Sequence, residues 1–303
     1  MKKILLTLVA IVATVICAFA ESETSASLFK THYDYRDFTM LSISSAFEVE
    51  LTFADTYSVD VEVPDFLEPY LKVTCVAGKL RIGLLNLPKN IQRKLNDKHD
   101  QLHAWVAMPT LRSLSMSGAT RLTTLGVPRL APDESLSIEM SGASYLEMLE
   151  ASSNDRLTVD MSGASKANLK AEFDVLDIEV SGASKLKLEG SAGKLSVDCS
   201  GASSTEFTGD YGALKSEISG SSRIDVDGDV RSLVADASGS SKFEVKGIVD
   251  KAEVELSGVS KGTLAVKDRM DYELSGVSTL KYRDLGASVR GEISRGSKIE
   301  YLK

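Results

Sequence analysis

The sequence predicts an all-β protein in which a parallel β-solenoid with rungs of about 19 residues follows a less regular N-terminal β region. A four-residue word, SGAS or a close variant of it, recurs ten times between Ser117 and Ser297. Apolar residues alternate with polar residues on both sides of the word. A nearly fixed period of about 20 residues is typical of a solenoid. From the third copy onward the word begins, at almost equal intervals, at Ser162, Ser181, Ser200, Ser219, Ser238, Ser257, Ser275 and Ser294.

The strands are predicted from columns of apolar residues that appear when the repeats are aligned on the word. The residue just before the word is apolar in all ten copies, and two more apolar columns precede it at every second position. Because alternate residues of a strand point to opposite faces, these columns predict strands with one buried face. Each rung is therefore a strand, a corner, a second strand and a return with Gly or Asp. Equivalent positions stack about 4.8 Å apart, and we expect a right-handed coil.

The word itself is interpreted as the corner between the two strands. Glycine permits the positive φ of a sharp bend, and the small third residue of the word is expected to lie inside the corner. The serines can bond backbone groups or one another along the stack. The alternative is that the serine rows form a ligand strip or a glycosylation track. No serine has a His or Asp partner at a repeated spacing, so nucleophilic catalysis is not supported. The predicted corner glycines are Gly118, Gly142, Gly163, Gly182, Gly201, Gly220, Gly239, Gly258 and Gly276.

A column of acids lies two residues before the first serine of each word. We call these nine residues the acidic ladder: Glu139, Asp160, Glu179, Asp198, Glu217, Asp236, Glu255, Glu273 and Glu292. Like charges about 4.8 Å apart repel by roughly 0.8 kcal/mol even in water, so compensation is expected. One interpretation is neutralisation around the bend by a basic column just past the corner. The other is a strip that binds Ca²⁺ or a cationic partner, because hard cations take several carboxylate oxygens. The basic column consists of Arg121, Lys166, Lys185, Arg223, Lys242, Lys261 and Lys298.

The DVDGD stretch beginning at Asp225 resembles an EF-hand fragment, but its glycine is misplaced and no Glu closes the loop. The stretch is therefore not interpreted as an EF-hand calcium site. The sequence predicts no cofactor.

Residues 1–20 predict a signal peptide, because Lys2 and Lys3 precede an apolar run that ends in an A-x-A cleavage site. We expect export to the periplasm or the cell surface, with a lipoprotein anchored through Cys17 as the alternative. The apolar run is too short to predict a membrane span. Removal of the two lysines changes the net charge from −8 to −10, which argues against nucleic-acid binding.

Two cysteines, Cys75 and Cys199, remain in the exported chain, and a disulfide between them is one alternative in an oxidising compartment. Their spacing matches no disulfide framework. Cys199 also falls in the apolar column before the word. We therefore predict that it is a small buried residue without a redox or metal-binding role.

Residues 21–110 are predicted to form a β region that caps the solenoid of residues 111–303, because an open end needs a cover. Alternating apolar residues predict strands near residues 47–51, 59–63 and 80–84, and a polar insertion spans 85–103. Within this insertion, His99 and His103 have a helical i, i+4 spacing that could hold a metal, although no third ligand is evident.

The segment ISSAFEVELTFADTYSVDVEVPDFLEPYLKV, from Ile43 to Val73, is followed by GKLRIGL and then by the SGAS rungs. These pieces, in this order, resemble the head-GIN-domain family, exported proteins of Gram-negative bacteria described as putative autotransporter adhesins. The resemblance covers nearly the whole exported chain. It implies export, a β-helical fold and an adhesin role, and it supplies no binding residues.

These observations favour an exported, non-enzymatic binding protein that recognises an extracellular or envelope ligand, either a protein or a glycan. One alternative is a polysaccharide lyase or hydrolase on a β-helix, which would need a local cluster of unlike catalytic groups. The other is a structural scaffold of the cell envelope that associates into a homo-oligomer, end to end or side by side.

Overall fold

The computed structural model describes residues 27–97 and 102–302 and has a β-solenoid of about nine turns after a less regular N-terminal β region. The predicted fold class is confirmed. The predicted signal peptide, Cys17 and His99 lie outside the described residues. Within the described ranges, no helix is both long enough and apolar enough to cross a membrane.

The N-terminal region and the first rung contain nine strands, a 3-10 helix at Asp65–Tyr70 and the helix α1 at Lys89–Asp97. The strands are β1 (Leu28–Tyr33), β2 (Met40–Ile43), β3 (Phe47–Phe53), β4 (Ser58–Pro64), β5 (Leu71–Val76), β6 (Lys79–Leu84), β7 (Leu102–Met108), β8 (Ser113–Met116) and β9 (Arg121–Leu125).

The remaining rungs are formed by fourteen further strands of the described chain. These are β10 (Leu136–Met140), β11 (Tyr145–Met161), β12 (Lys166–Val180), β13 (Lys185–Glu189), β14 (Ala192–Cys199), β15 (Ser204–Thr208), β16 (Tyr211–Ile218), β17 (Arg223–Asp227), β18 (Val230–Ala237), β19 (Lys242–Leu256), β20 (Lys261–Leu274), β21 (Thr279–Asp284), β22 (Ser288–Ile293) and β23 (Lys298–Tyr301).

Each rung contributes one segment to each of two parallel stacks, which we call the first and the second sheet. Segments before the word form the first sheet, where Val197 pairs with Ile178 of the preceding rung and Ser216 of the following rung. Segments after the word form the second sheet, where Leu188 pairs with Leu169 and Phe207. The long strands β11, β12, β19 and β20 continue from the second sheet through the return into the first sheet.

The core follows the predicted apolar columns. The column just before the word is at most 2% exposed from Met116 to Leu274, and Cys199 is fully buried in it. Ile293, the last member of the same column, is 45% exposed. The burial of Cys199 confirms that it serves as a core residue.

The N-terminal region joins the coil by adding strands to both sheets. In the first sheet β2 lies between β6 and β8, and in the second sheet β3 lies between β7 and β9, all in parallel. The antiparallel strands β4 and β1 then cover this end. Between β2 and β3, Ser45 takes the place of the corner glycine with a φ of 76°, and its carbonyl accepts the Ala119 N–H at 2.9 Å. The strands β2 and β3 with the corner at Ser45 between them therefore form a rung without the glycine.

Candidate binding surfaces beside the corner

The corner glycines are required by both backbone conformation and close stacking. All nine have φ values between 68° and 81°, a region that side chains with a Cβ disfavour. A Cβ on Gly182 would lie 2.4 Å from the carbonyl oxygen of Gly163 in the preceding rung. That carbonyl accepts the N–H of Ala183 at 2.7 Å, so the corners stack through direct backbone hydrogen bonds.

The second serine of the word lies inside the corner. The second serine is buried in each rung as far as Ser278. The hydroxyls of Ser144 and Ser165 donate to the carbonyl three residues earlier at 2.8 Å, and Ser203 donates to Ser222 one rung on at 3.2 Å. The hydroxyls of Ser184 and Ser241 in the same row are buried without a hydrogen-bond partner among the described residues. The row is closed to ligands because its side chains are buried.

The third residue of the word lies outside the corner, so the prediction that it is inside was wrong. Ala183 is exposed, and Val259 and Val277 are 53% and 61% exposed. The physical reason is the left-handed glycine, which interrupts the strand alternation and turns the fourth residue, instead of the third, toward the core.

The acidic ladder is exposed along its full length, and its members are in direct register from Glu139 to Glu292. Of the nine carboxylates, only Glu217 forms an ion pair with a described residue, Lys215, at 2.7 Å. No three His, Cys, Asp or Glu residues of the described chain are grouped so as to hold a metal ion. The ladder is therefore a row of exposed like charges in register, and cation binding along it stays a prediction.

The basic column does not neutralise the ladder, so that interpretation was wrong. The two columns lie on different sheets, and each side chain points away from its own sheet. Three of the later cations contact acids two residues further along their own strand: Lys242 contacts Glu244 at 2.8 Å, Arg223 contacts Asp225, and Lys298 contacts Glu300. Lys261 forms no ion pair within the described residues. The Lys242 ammonium holds the pKa of Glu244 below its usual value through this hydrogen bond.

The N-terminal part of the basic column has no such partners. Arg121, Lys166 and Lys185 are exposed and form no ion pair within the described residues. Tyr145 lies between Arg121 and Lys166 in register, with the guanidinium carbon 4.8 Å and the ammonium 5.4 Å from its ring centroid. These distances are typical of cation–π contacts. We call these four residues the cationic strip.

A second aromatic surface adjoins the strip on β7. The rings of His103 and Trp105 stack with centroids 5.7 Å apart, and the Lys30 ammonium lies 4.7 Å from the Trp105 ring centroid. A cavity of about 200 Å³ is lined by these two rings together with Glu48, Glu50 and Arg121. His103 lies on a strand, so the helical spacing assumed for a metal site with His99 does not apply. The sequence did not single out Trp105, because the order β7-β3-β9 that brings it beside Arg121 depends on long-range pairing.

A cavity of about 570 Å³ opens on the return side of the early rungs. Leu130 and Pro132 of the loop before β10 line this cavity. The loop lies in the first interval between words, which is longer than the later intervals. Phe173 is buried between the exposed carboxylates of Glu172 and Asp174, and its in-register neighbour Ser153 on β11 and Pro132 also line the cavity. No Lys, Arg or His is among the described residues that line this cavity.

The two cysteines of the described chain are free. Burial raises the pKa of the Cys199 thiol to about 11, and burial also raises the pKa of Cys75, which is half-buried on β5. We expect a protein carrying Cys17→Ser to react with one equivalent of a thiol reagent at mildly alkaline pH when native, because the thiolate is the reactive form. Unfolding in denaturant should release a second equivalent. Spectrophotometric titration checks this, and two equivalents in the native state would contradict it.

The family model described as "Putative auto-transporter adhesin, head GIN domain" matches residues 37–210 and 206–286. This chain belongs to the head-GIN family. The resemblance seen in the sequence is thereby confirmed, and the match spans both the N-terminal β region and most of the rungs. No curated protein matches the chain.

Crystal structures of two other proteins are similar to this head-GIN chain. The first is a putative adhesin from Parabacteroides distasonis, 14% identical, with 92% of this chain and 98% of that chain covered and a TM-score of 0.51. The second is a putative adhesin from Parabacteroides merdae, also 14% identical with the same coverage and a TM-score of 0.46. The first similarity supports the fold, and at this identity it concerns the fold alone.

Proposed function

We propose that this protein is an exported, non-enzymatic binding protein with an adhesin-type role. It recognises a glycan or a protein outside the cytoplasm through the cationic strip and the adjoining ring of Trp105. Membership of the head-GIN family supports a binding role. The observation that carries the location is that Arg121 and Lys166 lie against the ring of Tyr145 and that neither they nor the adjoining Lys185 form an ion pair within the described residues. Arg223, Lys242 and Lys298 of the same column are paired within their own sheet, and Lys261, which is unpaired as well, has no aromatic ring of this kind beside it in the described chain.

The chemistry of the strip favours an anionic or partly anionic ligand. A guanidinium group binds carboxylate or sulfate oxygens through two parallel hydrogen bonds, and a lysine binds them as a point charge. Tyr145 and Trp105 add aromatic rings beside these cations, and the exposed edges of the rings suit contact with a sugar ring or an aromatic side chain. Arg121, Tyr145, Lys166 and Lys185 occupy four successive strands, which are about 4.8 Å apart, so a ligand that runs along the solenoid axis meets three cations and one aromatic ring.

The binding test compares two double variants of the same basic column. Arg121→Ala with Lys166→Ala should weaken binding of the best ligand on an array of glycans and matrix proteins by about tenfold or more, because charge-assisted hydrogen bonds contribute roughly 1.5–3 kcal/mol each. Lys242→Ala with Lys261→Ala is the matched control and should change the affinity little. Biolayer interferometry at two salt concentrations measures both variants. Absence of any ligand, or an equal loss in the control, would contradict the proposal.

The enzymatic alternative is located most simply at the return cavity. Glu172 and Asp174 extend from one strand into it, and glycoside hydrolases use two carboxylates across the scissile bond. We expect no release of reducing sugar from neutral or acidic polysaccharides. Release that disappears in Glu172→Gln and persists in the exposed control Glu189→Gln would replace the binding role with an enzymatic one.

A further inference from the structure

The C-terminal end of the solenoid is uncovered within the described residues. β22 pairs only with β20, and β23 pairs only with β21, so each keeps one free edge. Ile293 is 45% exposed and Tyr301 is 61% exposed, although the residues before Ile293 in its column are at most 2% exposed. At the N-terminal end, by contrast, β1 and β4 cover the coil. The last rung therefore exposes both apolar surface and unpaired backbone groups.

The hydrogen bonds of the last rung show which backbone groups face outward along the axis. Ser294 donates back to Leu274, and Lys298 and Leu302 donate back to Ser278 and Tyr282. N–H and C=O groups alternate in direction along a strand. Accordingly, the free edge of β22 consists of the backbone groups of Val289, Gly291 and Ile293, and that of β23 consists of those of Ile299 and Tyr301.

The charges on this edge are self-complementary. If β22 meets a second β22 in antiparallel orientation about Gly291, Arg290 lies opposite Glu292 of the second copy. If β23 meets a second β23 about Ile299, Lys298 lies opposite Glu300 of the second copy. Lys298 also contacts Glu300 of its own strand, so in the dimer the two lysines and the two glutamates form one network of four charges. Both alignments place the free backbone groups in hydrogen-bonding positions, and opposite charges directly across strands stabilise antiparallel pairs.

Edge strands are commonly protected by proline, by a bulge or by charges that repel a second edge. Neither β22 nor β23 contains proline, and both pair in regular register with the preceding rung. Their charges attract an antiparallel copy instead of repelling it. This favours a second copy of the chain over an unrelated partner, because an interface with two-fold symmetry requires self-complementary surfaces.

We propose that two copies of this protein associate end to end through their last rungs, with β22 against β22 and β23 against β23 in antiparallel pairs. Ile293 and Tyr301 are then covered by the second copy. The two N-terminal regions, with their cationic strips, lie toward opposite ends of the dimer. Two ligand surfaces on one assembly would raise the avidity for a repetitive surface.

The test is sedimentation equilibrium of the purified protein over a wide concentration range, which should show a dimer. Lys298→Glu should weaken the dimer by about tenfold, because two symmetry-related attractive pairs become repulsive. The double change Lys298→Glu with Glu300→Lys should restore the affinity, since it exchanges the charges without removing their complementarity. Lys261→Glu, in the same column but inside the stack of rungs, is the matched control and should leave the dimer unchanged.

Three outcomes would overturn the proposal. A monomer at all concentrations would show that the end stays open or is covered by residues outside the described ranges. A dimer indifferent to Lys298→Glu would place the interface elsewhere, as in side-by-side association. A dimer that Lys298→Glu weakens and the exchange fails to restore would exclude the antiparallel register. Circular dichroism of each variant confirms that the solenoid is folded.

Discussion

Replacing Gly182 by alanine should lower the free energy of unfolding by about 2–5 kcal/mol. A left-handed conformation at a residue with a Cβ accounts for roughly 1–2 kcal/mol. The remainder comes from overpacking, because the new methyl group would lie 2.4 Å from the carbonyl oxygen of Gly163. That oxygen accepts a hydrogen bond from Ala183, so it cannot withdraw without breaking a link between two rungs. Each rung of a solenoid is stabilised by its contacts with the neighbouring rungs, so a weaker contact between two rungs should lower the stability of the whole stack.

The neighbouring residue supplies the control for this experiment. Ala183→Ser changes the exposed third residue of the same word, and Ser221 and Ser240 occupy the equivalent position in later rungs. Its effect on stability should stay within about 0.5 kcal/mol. Urea unfolding followed by circular dichroism measures both variants. Similar midpoints for Gly182→Ala and Ala183→Ser would show that the stacked corner is not as tightly constrained as its geometry indicates.

Truncating Phe207 to alanine should destabilise the protein by about 3–5 kcal/mol. The side chain is 1% exposed in the core of the second sheet, and its ring packs edge-on against Tyr211 with the centroids 6.4 Å apart. Removing the ring would leave a cavity between two rungs, since the neighbouring backbones are held at the spacing of hydrogen-bonded strands and cannot close the gap.

A smaller change at the same position separates loss of volume from loss of the aromatic ring. Leu188 precedes Phe207 in the same column, so Phe207→Leu introduces a side chain that the preceding rung already accommodates. We expect it to cost less than about 1.5 kcal/mol. Thermal unfolding compares the two variants. Equal losses for alanine and leucine would indicate that the contact with Tyr211, and not the filled volume, determines the stability.

The repetitive part of the fold could be predicted because its information is local. A strand, a corner and a strand follow each other within a single repeat, so an alignment on the word places each residue in or out of the core. The alignment predicted correctly that Cys199 is buried and that the acidic ladder points outward. The outward third residue of the corner was missed, because strand alternation says nothing about the residue after a left-handed glycine.

The candidate site could be predicted only in part, because it depends on contacts between distant segments. The cations of the basic column were visible in the alignment, but their partners were not. Glu244 pairs with Lys242 on its own strand, and Arg121 has no acid of this kind. Trp105 lies near the strip because β3 pairs with both β7 and β9. The rung formed by β2 and β3 could not be recognised from the repeated word, because Ser45 stands where the corner glycine is expected.

The equal spacing of the middle words gives the molecule a length that can change only in steps. Between Ser162 and Ser257 the words follow one another at a constant interval, and each corner accepts and donates the same hydrogen bonds as the next. Excising or duplicating one such repeat would rejoin matching edges and would shift the two ends by about 4.8 Å along the axis. Related chains could therefore vary their reach by gain or loss of whole repeats, while the N-terminal region and the last rung stay unchanged.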